Sequence, residues 1–342
     1  MMDCPLALVR STCARASSSL AHLVAVDPSR CQQLARDFVD AETASSPAND
    51  GLFPSPHHVA RQWAADGMHL VDPSNPELTA RCVLVVDALN WCFWPDGELE
   101  YEHLAGGVKA SALRDPSLVS PERLATATGA YARALLSWPR ALPNEEERAR
   151  LLRELGAALL ARFGGSAAAL VRASDGSASR LVALIADALP GFRDAAVDGE
   201  GRQVFFYKRA QIVAGDMWGA FGGEGLGAFG DIARITTYPD YRVPQSLLAA
   251  GAISYSDALM AKVRAGEEVR AGSDEEIAIR AATVVAVEAV REAASWLLAE
   301  REGPAAPPVL ATHVDWYLWR WGEERRADAK LPPFHRCRTV FY

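Results

Sequence analysis

The sequence has few cysteines and no long apolar run. Its six cysteines among 342 residues form no CxxC pair of a zinc site and are too sparse for a secreted disulfide scaffold, which predicts reduced thiols. An apolar run near the N-terminus, Pro5–Val9, stops at Arg10 and is too short for a signal-peptide core or a membrane span. We therefore expect a cytoplasmic protein that does not enter a membrane.

Basic residues are also in deficit. The chain has 35 lysines and arginines against 43 acidic residues, a formal net charge of −8, which repels a polyanion such as duplex DNA. A local basic pocket for one phosphate is still compatible with this charge. Half of the residues are apolar, enough to bury a core, which excludes a disordered chain. No linker forces a split, so we predict a single domain over residues 1–342, with residues 1–20 frayed. We separately expect a monomer.

Apolar residues recur at helical spacing through most of the chain. A period of about 3.6 residues predicts a mainly α fold with at most a few short strands. The clearest helix begins with a capping box, in which Ser273 is followed by Glu276, and extends to about Glu302. The other helices are predicted at Pro28–Val39, Pro56–Ala65, Pro121–Ser137, Asn144–Phe163, Ser179–Leu189 and Lys208–Trp218.

Three further runs are harder to assign. Cys82–Ala88 has the β-branched density of a buried strand, but residues 89–94 suit a helix or a turn, and periodicity does not decide between them. Gln203–Tyr207 predicts a short strand. Gly219–Gly230 holds six glycines, but it follows a predicted helix and has no Gly-Lys-Ser/Thr. A flexible connecting loop near a site is therefore favoured over a phosphate cradle.

Polar side chains among aromatic residues mark where chemistry is expected. Burying a carboxylate or an ammonium is costly unless a partner or a ligand compensates. Four segments have this composition: 87–96, 205–211, 237–245 and 313–319. Aromatic faces beside carboxylates and amides suit a flat heterocycle such as guanine, whose N1–H and exocyclic amine one carboxylate accepts together.

The aromatic and polar members of these segments differ in their ordinary explanations. Aromatic residues at helical spacing are more often core than binding site, which applies to Trp91, Phe93, Trp94, Trp316 and Trp319. Carboxylates and amides gain nothing from core packing, so the core explanation is weaker for Asp87, Asn90 and Asp315 than for the aromatic residues. For these three residues, a structural role and a binding role are equally favoured.

The remaining candidates also have structural explanations. Lys208 taken alone is typical of a surface lysine that reaches solvent. Asp240 follows a proline and is typical of a turn, and Pro244 predicts an extended chain at the residue before it. His57 and His58 stand at the start of a predicted helix, and no third ligand at metal spacing accompanies them.

Several motifs that occur together and in one order resemble the queuosine salvage protein family. They are Asp87–Trp94 (DALNWCFW), Phe192–Asp194 (FRD), Phe206–Gln211 (FYKRAQ), Asp240–Gln245 (DYRVPQ), Asp315–Trp319 (DWYLW) and Phe334–Tyr342 (FHRCRTVFY). The resemblance covers approximately residues 20–342, and the co-occurrence of these motifs makes it specific.

The resemblance implies an N-glycosylase that hydrolyses queuosine 5′-monophosphate to queuine, a 7-deazaguanine base, and ribose 5-phosphate, so that queuine is salvaged for tRNA modification. It implies no metal and no cofactor. The implied fold is a helical domain resembling helix-hairpin-helix DNA glycosylases, and Leu189–Phe192 resembles the Leu-Pro-Gly turn of that hairpin. By motif, Asp240 matches the family's catalytic aspartate and Lys208 its active-site lysine. Its histidine matches His58, although the doubled histidine also allows His57.

The implied reaction fits these residue types. Cleavage of the C1′–N9 bond passes through an oxocarbenium-like state, which the carboxylate of Asp240 is expected to stabilise. A 7-deazapurine has carbon in place of N7, so other edges must stabilise the leaving base, and Asp315 and Asn90 are candidates. A fork from Arg209 or Arg242 suits the 5′-phosphate. The other expected substrate-binding residues are His58, Asp87, Trp94, Thr237, Tyr238, Tyr241, Trp316 and Tyr317.

The sequence leaves two other functions open. One is a protein that binds a deazapurine in the same aromatic pocket without turnover. The other is a nucleic-acid base-excision glycosylase that uses Lys208 as a Schiff-base nucleophile. The acidic balance of the chain makes the nucleic-acid alternative the weakest of the three.

Overall fold

Helices dominate the structure, a computed structural model that describes residues 4–45, 53–328 and 330–342. Fifteen α-helices and four three-residue strands lie within these ranges, which confirms the predicted mainly α fold. The prediction of a frayed N-terminus is wrong for residues 5–19, which form a helix with several buried side chains. None of the described helices combines the length and the apolar character needed to cross a membrane.

The elements follow one another along the chain with short connections. The helices are α1 (Pro5–Ser19), α2 (Pro28–Ala44), α3 (Pro56–Ala65), α4 (Pro76–Leu89), α5 (Tyr101–Arg114), α6 (Pro121–Leu124), α7 (Gly129–Leu135), α8 (Glu145–Phe163), α9 (Ala167–Arg172), α10 (Ala178–Ala188), α11 (Lys208–Ala220), α12 (Arg242–Ala249), α13 (Asp257–Ala265), α14 (Asp274–Glu302) and α15 (Ala311–Glu324). The strands are β1 (Val24–Val26), β2 (Ala195–Val197), β3 (Gln203–Phe205) and β4 (Ile253–Tyr255).

Contacts divide the chain into two compact units. Unit 1 comprises residues 1–59, 195–208 and 233–338, and unit 2 comprises residues 60–194, 209–232 and 339–342. In unit 1, α14 packs against α1, α2, α12 and α15. The antiparallel pairs β1–β4 and β2–β3 complete this unit, with Val24 opposite Tyr255 and Ala195 opposite Phe205. Ser273 caps α14 as predicted, because its hydroxyl accepts the Glu276 amide. The reciprocal bond of the predicted capping box does not form among the described residues, since the Glu276 side chain accepts the Gly272 amide instead.

Unit 2 is built around α4 and α8, against which α6, α7 and α9 pack. The run Cys82–Ala88, for which a strand was one alternative, lies inside α4. Asn75 caps this helix by accepting the Leu78 amide at 3.1 Å, and Pro76 occupies its first turn. These start signals and burial on nearly every face outweigh the β preference of the valines.

Two other predictions are corrected. The helix predicted at Pro121–Ser137 is divided into α6 and α7, because the Thr128 hydroxyl accepts the Tyr131 amide and starts a new helix. The extended chain predicted before Pro244 is wrong, because α12 begins at Arg242. A proline is tolerated in the first turn, where the missing N–H would have no acceptor within the helix.

The glycine-rich run Gly219–Gly230 begins inside α11 and continues through turns and one short 3₁₀ helix. A Cβ at Gly219 would lie 2.8 Å from the ring of Trp63, and a Cβ at Gly227 would lie 2.7 Å from the carbonyl oxygen of Met217. At these two positions the glycines therefore allow close packing.

Gly156 of α8 tests the packing of unit 2. A Cβ at this position would lie 2.4 Å from the amide nitrogen of Ala125 and 2.5 Å from the carbonyl oxygen of Pro121. Gly156→Ala is expected to lower the free energy of unfolding by about 1–3 kcal/mol through overpacking, although alanine forms helices better than glycine. Urea unfolding measures the change.

Gly106→Ala in α5 is the matched control, because no atom other than its chain neighbours and the nearby backbone of its own helix lies within 4 Å of the added methyl group. This variant is expected to gain about 0.5–1 kcal/mol from helix propensity. If Gly156→Ala is stabilised by the same amount, the close approach at Ala125 is incorrect.

Candidate active site

Asp315 of α15 holds the irregular segment that leads to Asp240. Its Oδ2 accepts hydrogen bonds from the hydroxyl of Thr237 and, at 2.8 Å, from the amide of Tyr238. The Tyr238 hydroxyl lies 3.1 Å from the hydroxyl of Thr312, which is also on α15. All of these side chains are buried. Since little water competes at a buried site, these bonds fix the segment against α15.

Asp240 ends this segment and starts α12. Its Oδ1 accepts the amides of Arg242 at 2.8 Å and of Val243 at 2.9 Å, which is the role of a helix N-cap. Its Oδ2 accepts no hydrogen bond from any residue that the structure describes, and the side chain is partly exposed. One oxygen therefore fixes the carboxylate, and the other can meet a ligand.

Asp315 divides its two oxygens in the same way. Within the described residues, its Oδ1 accepts no hydrogen bond. Burial, with a smaller contribution from the Asp240 carboxylate, raises the pKa of Asp315 to about 7, while the bonds from Thr237 and Tyr238 and the Lys208 ammonium act in the opposite direction. Near neutral pH, Asp315 is therefore present both in its protonated form, which donates a hydrogen bond, and in its ionised form, which only accepts.

Lys208 is buried at the first position of α11, with only 2% of its surface exposed. Its ammonium is close enough to Asp315 to act on the pKa of that carboxyl group. A buried ammonium near the Asp315 carboxyl group differs from the surface lysine that is typical of this residue taken alone. The structure thus brings together five of the predicted site residues in unit 1: Thr237, Tyr238, Asp240, Asp315 and Lys208.

The two histidines at the start of α3 differ in burial. His57 is exposed, whereas His58 is partly buried. The Nε2 atom of His58 is buried and has no hydrogen-bond partner among the described residues. A buried polar atom without a partner is costly unless a ligand or water completes its bonding. This difference favours His58 over His57 as a ligand-binding residue.

Arg242 is engaged with protein groups. Its Nε lies 2.8 Å from Oε1 of Glu323, and its guanidinium lies over the rings of Phe334, at 5.1 Å, and Tyr241, at 5.5 Å. The carboxylate of Glu323 balances its charge. Its predicted contact with a phosphate, and the predicted contact of Tyr241 with the substrate, stay predictions.

The neighbours of Asp315 on α15 occupy different faces of the helix. Tyr317 packs edge-to-face against Phe38 of α2, with ring centroids 5.2 Å apart. Two residues correspond to just over half a helical turn, so Tyr317 and Asp315 project in nearly opposite directions. Trp316 is partly buried. The predicted substrate contacts of Trp316 and Tyr317 stay predictions.

Arg209 lies in unit 2 and is fully buried. Its guanidinium donates to the carbonyl oxygen of Ala88 at 2.8 Å and to the carbonyl oxygen of Gly191, and it stacks on Phe192 at 4.4 Å. Burial lowers the pKa of Arg209 to about 9. In this structure Arg209 therefore joins the end of α4 to the turn that resembles the hairpin motif. The hairpin resemblance itself stays a prediction.

Arg148 of α8 was not identified from the sequence. It is fully buried, donates to the carbonyl oxygens of Leu89 at 2.6 Å and Trp91 at 2.7 Å, and stacks on the Trp91 ring at 4.3 Å. These bonds fix the turn that carries Asn90 and Trp94, two predicted substrate-binding residues. An arginine within a helical pattern resembles a surface cation, so the sequence offered no signal for this role.

Unit 2 also contains a group of aromatic and acidic side chains that sequence reasoning missed in part. The Tyr101 hydroxyl lies 2.8 Å from Nε2 of His69, whose ring stacks on Trp63 at 4.1 Å. Burial, followed by the carboxylates of Asp216 and Asp87, raises the pKa of Tyr101 well above its usual value. Asp87 thus lies in surroundings of the kind expected for a heterocycle site, and its role stays a prediction.

Comparison with known sequences identifies the family. Residues 70–342 match the family described as queuosine salvage protein. The chain belongs to this family. It is 41% identical to the queuosine 5′-phosphate N-glycosylase/hydrolase of Dictyostelium discoideum over 288 residues, which cover 82% of this chain and 85% of that protein. The proteins of the same name from Sphaerobacter thermophilus and Mus musculus are 41% identical over 276 residues and 35% identical over 297 residues.

These alignments cover most of this chain and most of each relative. The matches cover 78% of this chain and 82% of the Sphaerobacter protein, and 82% of this chain and 87% of the mouse protein. The family match includes Lys208, Asp240 and Asp315, and it begins after His58. The family predicted from the motifs is confirmed.

In the described ranges, no group of three or more His, Cys, Asp or Glu side chains is arranged to hold a metal ion.

Asp315→Asn is expected to change how stability depends on pH. The folded-state pKa of Asp315, about 7, lies above the value of about 4 for an unfolded aspartate. Between these values the folded state keeps a proton that the unfolded state has released. The contribution of Asp315 to the free energy of unfolding therefore falls as pH rises, by on the order of 4 kcal/mol at most, and is constant above about pH 8.

Urea unfolding of the wild type and of Asp315→Asn measures this effect between about pH 5 and pH 8.5, a range that spans the upper part of the window. The stability of the wild type minus that of the variant is expected to decrease towards the upper end. A difference that does not depend on pH contradicts the raised pKa.

Proposed function

We propose that this protein hydrolyses the N-glycosidic bond of queuosine 5′-monophosphate and releases queuine and ribose 5-phosphate. The observation that carries the proposal is the pair Asp240 and Asp315, in which each carboxyl group has one oxygen fixed by the protein and one oxygen available. The names of the relatives from Dictyostelium discoideum, Sphaerobacter thermophilus and Mus musculus support the substrate.

Asp240 is proposed to face the anomeric carbon. As the C1′–N9 bond breaks, positive charge develops on C1′ and the ring oxygen, and a fixed carboxylate stabilises it. The same oxygen can accept a proton from the attacking water. The two amides of α12 hold the carboxylate in place, so little reorganisation accompanies the reaction.

Asp315 is proposed to serve the leaving base. Queuine lacks N7, so the departing base takes a proton or a hydrogen bond at another edge. A carboxyl group with a pKa of about 7 is substantially protonated at neutral pH and donates at low cost. Its Oδ1 is the oxygen that the described protein groups leave for this purpose.

Lys208 and His58 are proposed to orient the sugar phosphate. The ammonium of Lys208 is buried near the Asp315 carboxylate and supplies a positive point charge for a ribose or phosphate oxygen. The Nε2 atom of His58 supplies one directed hydrogen bond.

The proposal further includes a monomer that acts in the cytoplasm on a small molecule, neither at a membrane nor on duplex nucleic acid. The net charge of −8 supports the exclusion of the duplex.

Asp240→Asn tests the proposed reaction. The amide oxygen of asparagine still accepts from the amides of Arg242 and Val243, so α12 keeps its cap. We expect kcat to fall at least about 100-fold because the charge at C1′ is lost. We expect the Kd for queuine to change by less than about threefold, since free queuine carries no developing charge. Mass spectrometry of released queuine measures turnover.

Asp257→Asn is the control for this experiment, because Asp257 is an exposed carboxylate at the start of α13. It is expected to leave kcat unchanged. A wild-type protein that binds queuine but releases none from queuosine 5′-monophosphate is a carrier, which contradicts the proposed hydrolysis. Full activity in Asp240→Asn contradicts the assigned role of Asp240.

The paired histidines allow a second test. His58→Ala removes the buried imidazole nitrogen that lacks a protein partner, whereas His57→Ala removes an exposed ring. One hydrogen bond to a ligand corresponds to about tenfold in affinity. We therefore expect His58→Ala to lower kcat/KM about tenfold or more. His57→Ala is expected to match the wild type in steady-state assays, and the reverse ranking would assign the family histidine to His57.

A further inference from the structure

We infer that Arg280 is a positioning residue for Asp240, an inference that rests on the proposed function. Arg280 lies on α14 with only 1% of its surface exposed, and its Nε donates to the carbonyl oxygen of Pro239 at 3.0 Å. That carbonyl belongs to the peptide that joins Pro239 to Asp240. The guanidinium therefore holds the main chain at the residue directly before Asp240.

The contact matters because Pro239 has few alternatives. Proline has no N–H, so its carbonyl is the only main-chain group with which it can form a hydrogen bond. The preceding part of the segment is fixed by Asp315, which holds Thr237 and Tyr238. The following part is fixed by α12, which Asp240 caps. Arg280 thus fixes the Pro239–Asp240 peptide, which lies between these two fixed parts of the chain. Rotation of this peptide would turn the Asp240 side chain.

The charge of Arg280 is balanced by another residue. Its Nη1 lies 3.2 Å from Oε1 of Glu276, one turn earlier on α14, and the other oxygen of Glu276 accepts the Gly272 amide at 2.9 Å. The bond to the neutral carbonyl of Pro239 is therefore not needed to compensate a buried cation. This hydrogen bond instead fixes the orientation of the Pro239 carbonyl group.

An arginine suits this position better than a lysine. The planar guanidinium donates from Nε towards Pro239 and from Nη1 towards Glu276 while its face lies 3.9 Å from the ring centroid of Phe206. A lysine ammonium has no planar face and a single nitrogen, so it does not reproduce the three contacts together. Arg280→Lys therefore keeps the charge and loses the geometry.

The inference predicts a specific kinetic change. A misplaced catalytic group lowers the rate of the chemical step more than the binding of the substrate. Arg280→Lys is expected to lower kcat for queuosine 5′-monophosphate about tenfold or more, with KM within about threefold of the wild type. Val290→Ala removes fully buried methyl groups from the same helix, far along α14 from the carbonyl contact. This control is expected to lower the melting temperature and leave kcat within about twofold when assayed well below it.

Chemical rescue gives an independent measurement. In Arg280→Ala, added guanidinium chloride at non-denaturing concentration is expected to raise kcat at least about threefold, because the free cation donates to the same carbonyl. Sodium chloride at equal ionic strength is the control and is expected to give no gain. If Arg280→Ala does not fold, the comparison of Arg280→Lys with Val290→Ala decides.

Two outcomes overturn the inference. One is a kcat in Arg280→Lys that matches that of Val290→Ala, and the other is a folded Arg280→Ala whose kcat does not respond to guanidinium. A wild-type protein without hydrolase activity contradicts the proposed function instead, so the two failures are distinguishable.

Discussion

The buried carboxyl group of Asp315 is the constraint on which the candidate site in unit 1 depends. One of its oxygens binds the Thr237 hydroxyl and the Tyr238 amide, so a segment without helix or strand bonds is held to α15. Burial makes the ionised form costly and raises the pKa to about 7. The same burial therefore fixes the chain before Asp240 and produces a group that exchanges a proton near neutral pH. On the opposite face of α15, the buried Glu42 binds His313 and Arg320, each at 2.8 Å.

Buried arginines perform a related task in both units. Arg280 donates to Pro239, Arg148 donates to Leu89 and Trp91, and Arg209 donates to Ala88 and Gly191. Each of these carbonyl oxygens lies in a turn or at a helix end, outside the regular hydrogen bonding within a helix or between strands. A guanidinium carries several donors in one plane and stacks on an aromatic ring, so it satisfies such carbonyls without water. Asn90 and Asp240, two of the residues that the sequence marked for chemistry, thus adjoin main-chain carbonyls that arginines hold in place.

The sequence was sufficient where local signals agree. The cap at Ser273 and the Pro56–Ala65 helix are confirmed, because caps, first-turn prolines and helical spacing act over a few residues. It was insufficient where tertiary contacts decide. The valines after Cys82 form a helix because burial on nearly every side removes the periodicity that separates a helix from a strand. Asp315 was identified because a carboxylate among aromatic residues is unusual, and Asp240 was identified because its motif resembles that of a known family. Their connection through Thr237 and Tyr238 was not predictable, because it spans more than 70 residues of sequence. Arg280 and Arg148 were missed for the same reason, since their acceptors lie 41 and 57 residues away.

A structure of the Asp240→Asn variant with queuosine 5′-monophosphate bound tests the central claim most directly, because the substrate is expected to stay uncleaved. The account predicts that the side chain at position 240 lies within about 3.5 Å of C1′, the distance of a reactive contact, with the base edge at Oδ1 of Asp315. A sugar bound elsewhere in the protein, with position 240 turned away from the anomeric carbon, would contradict it.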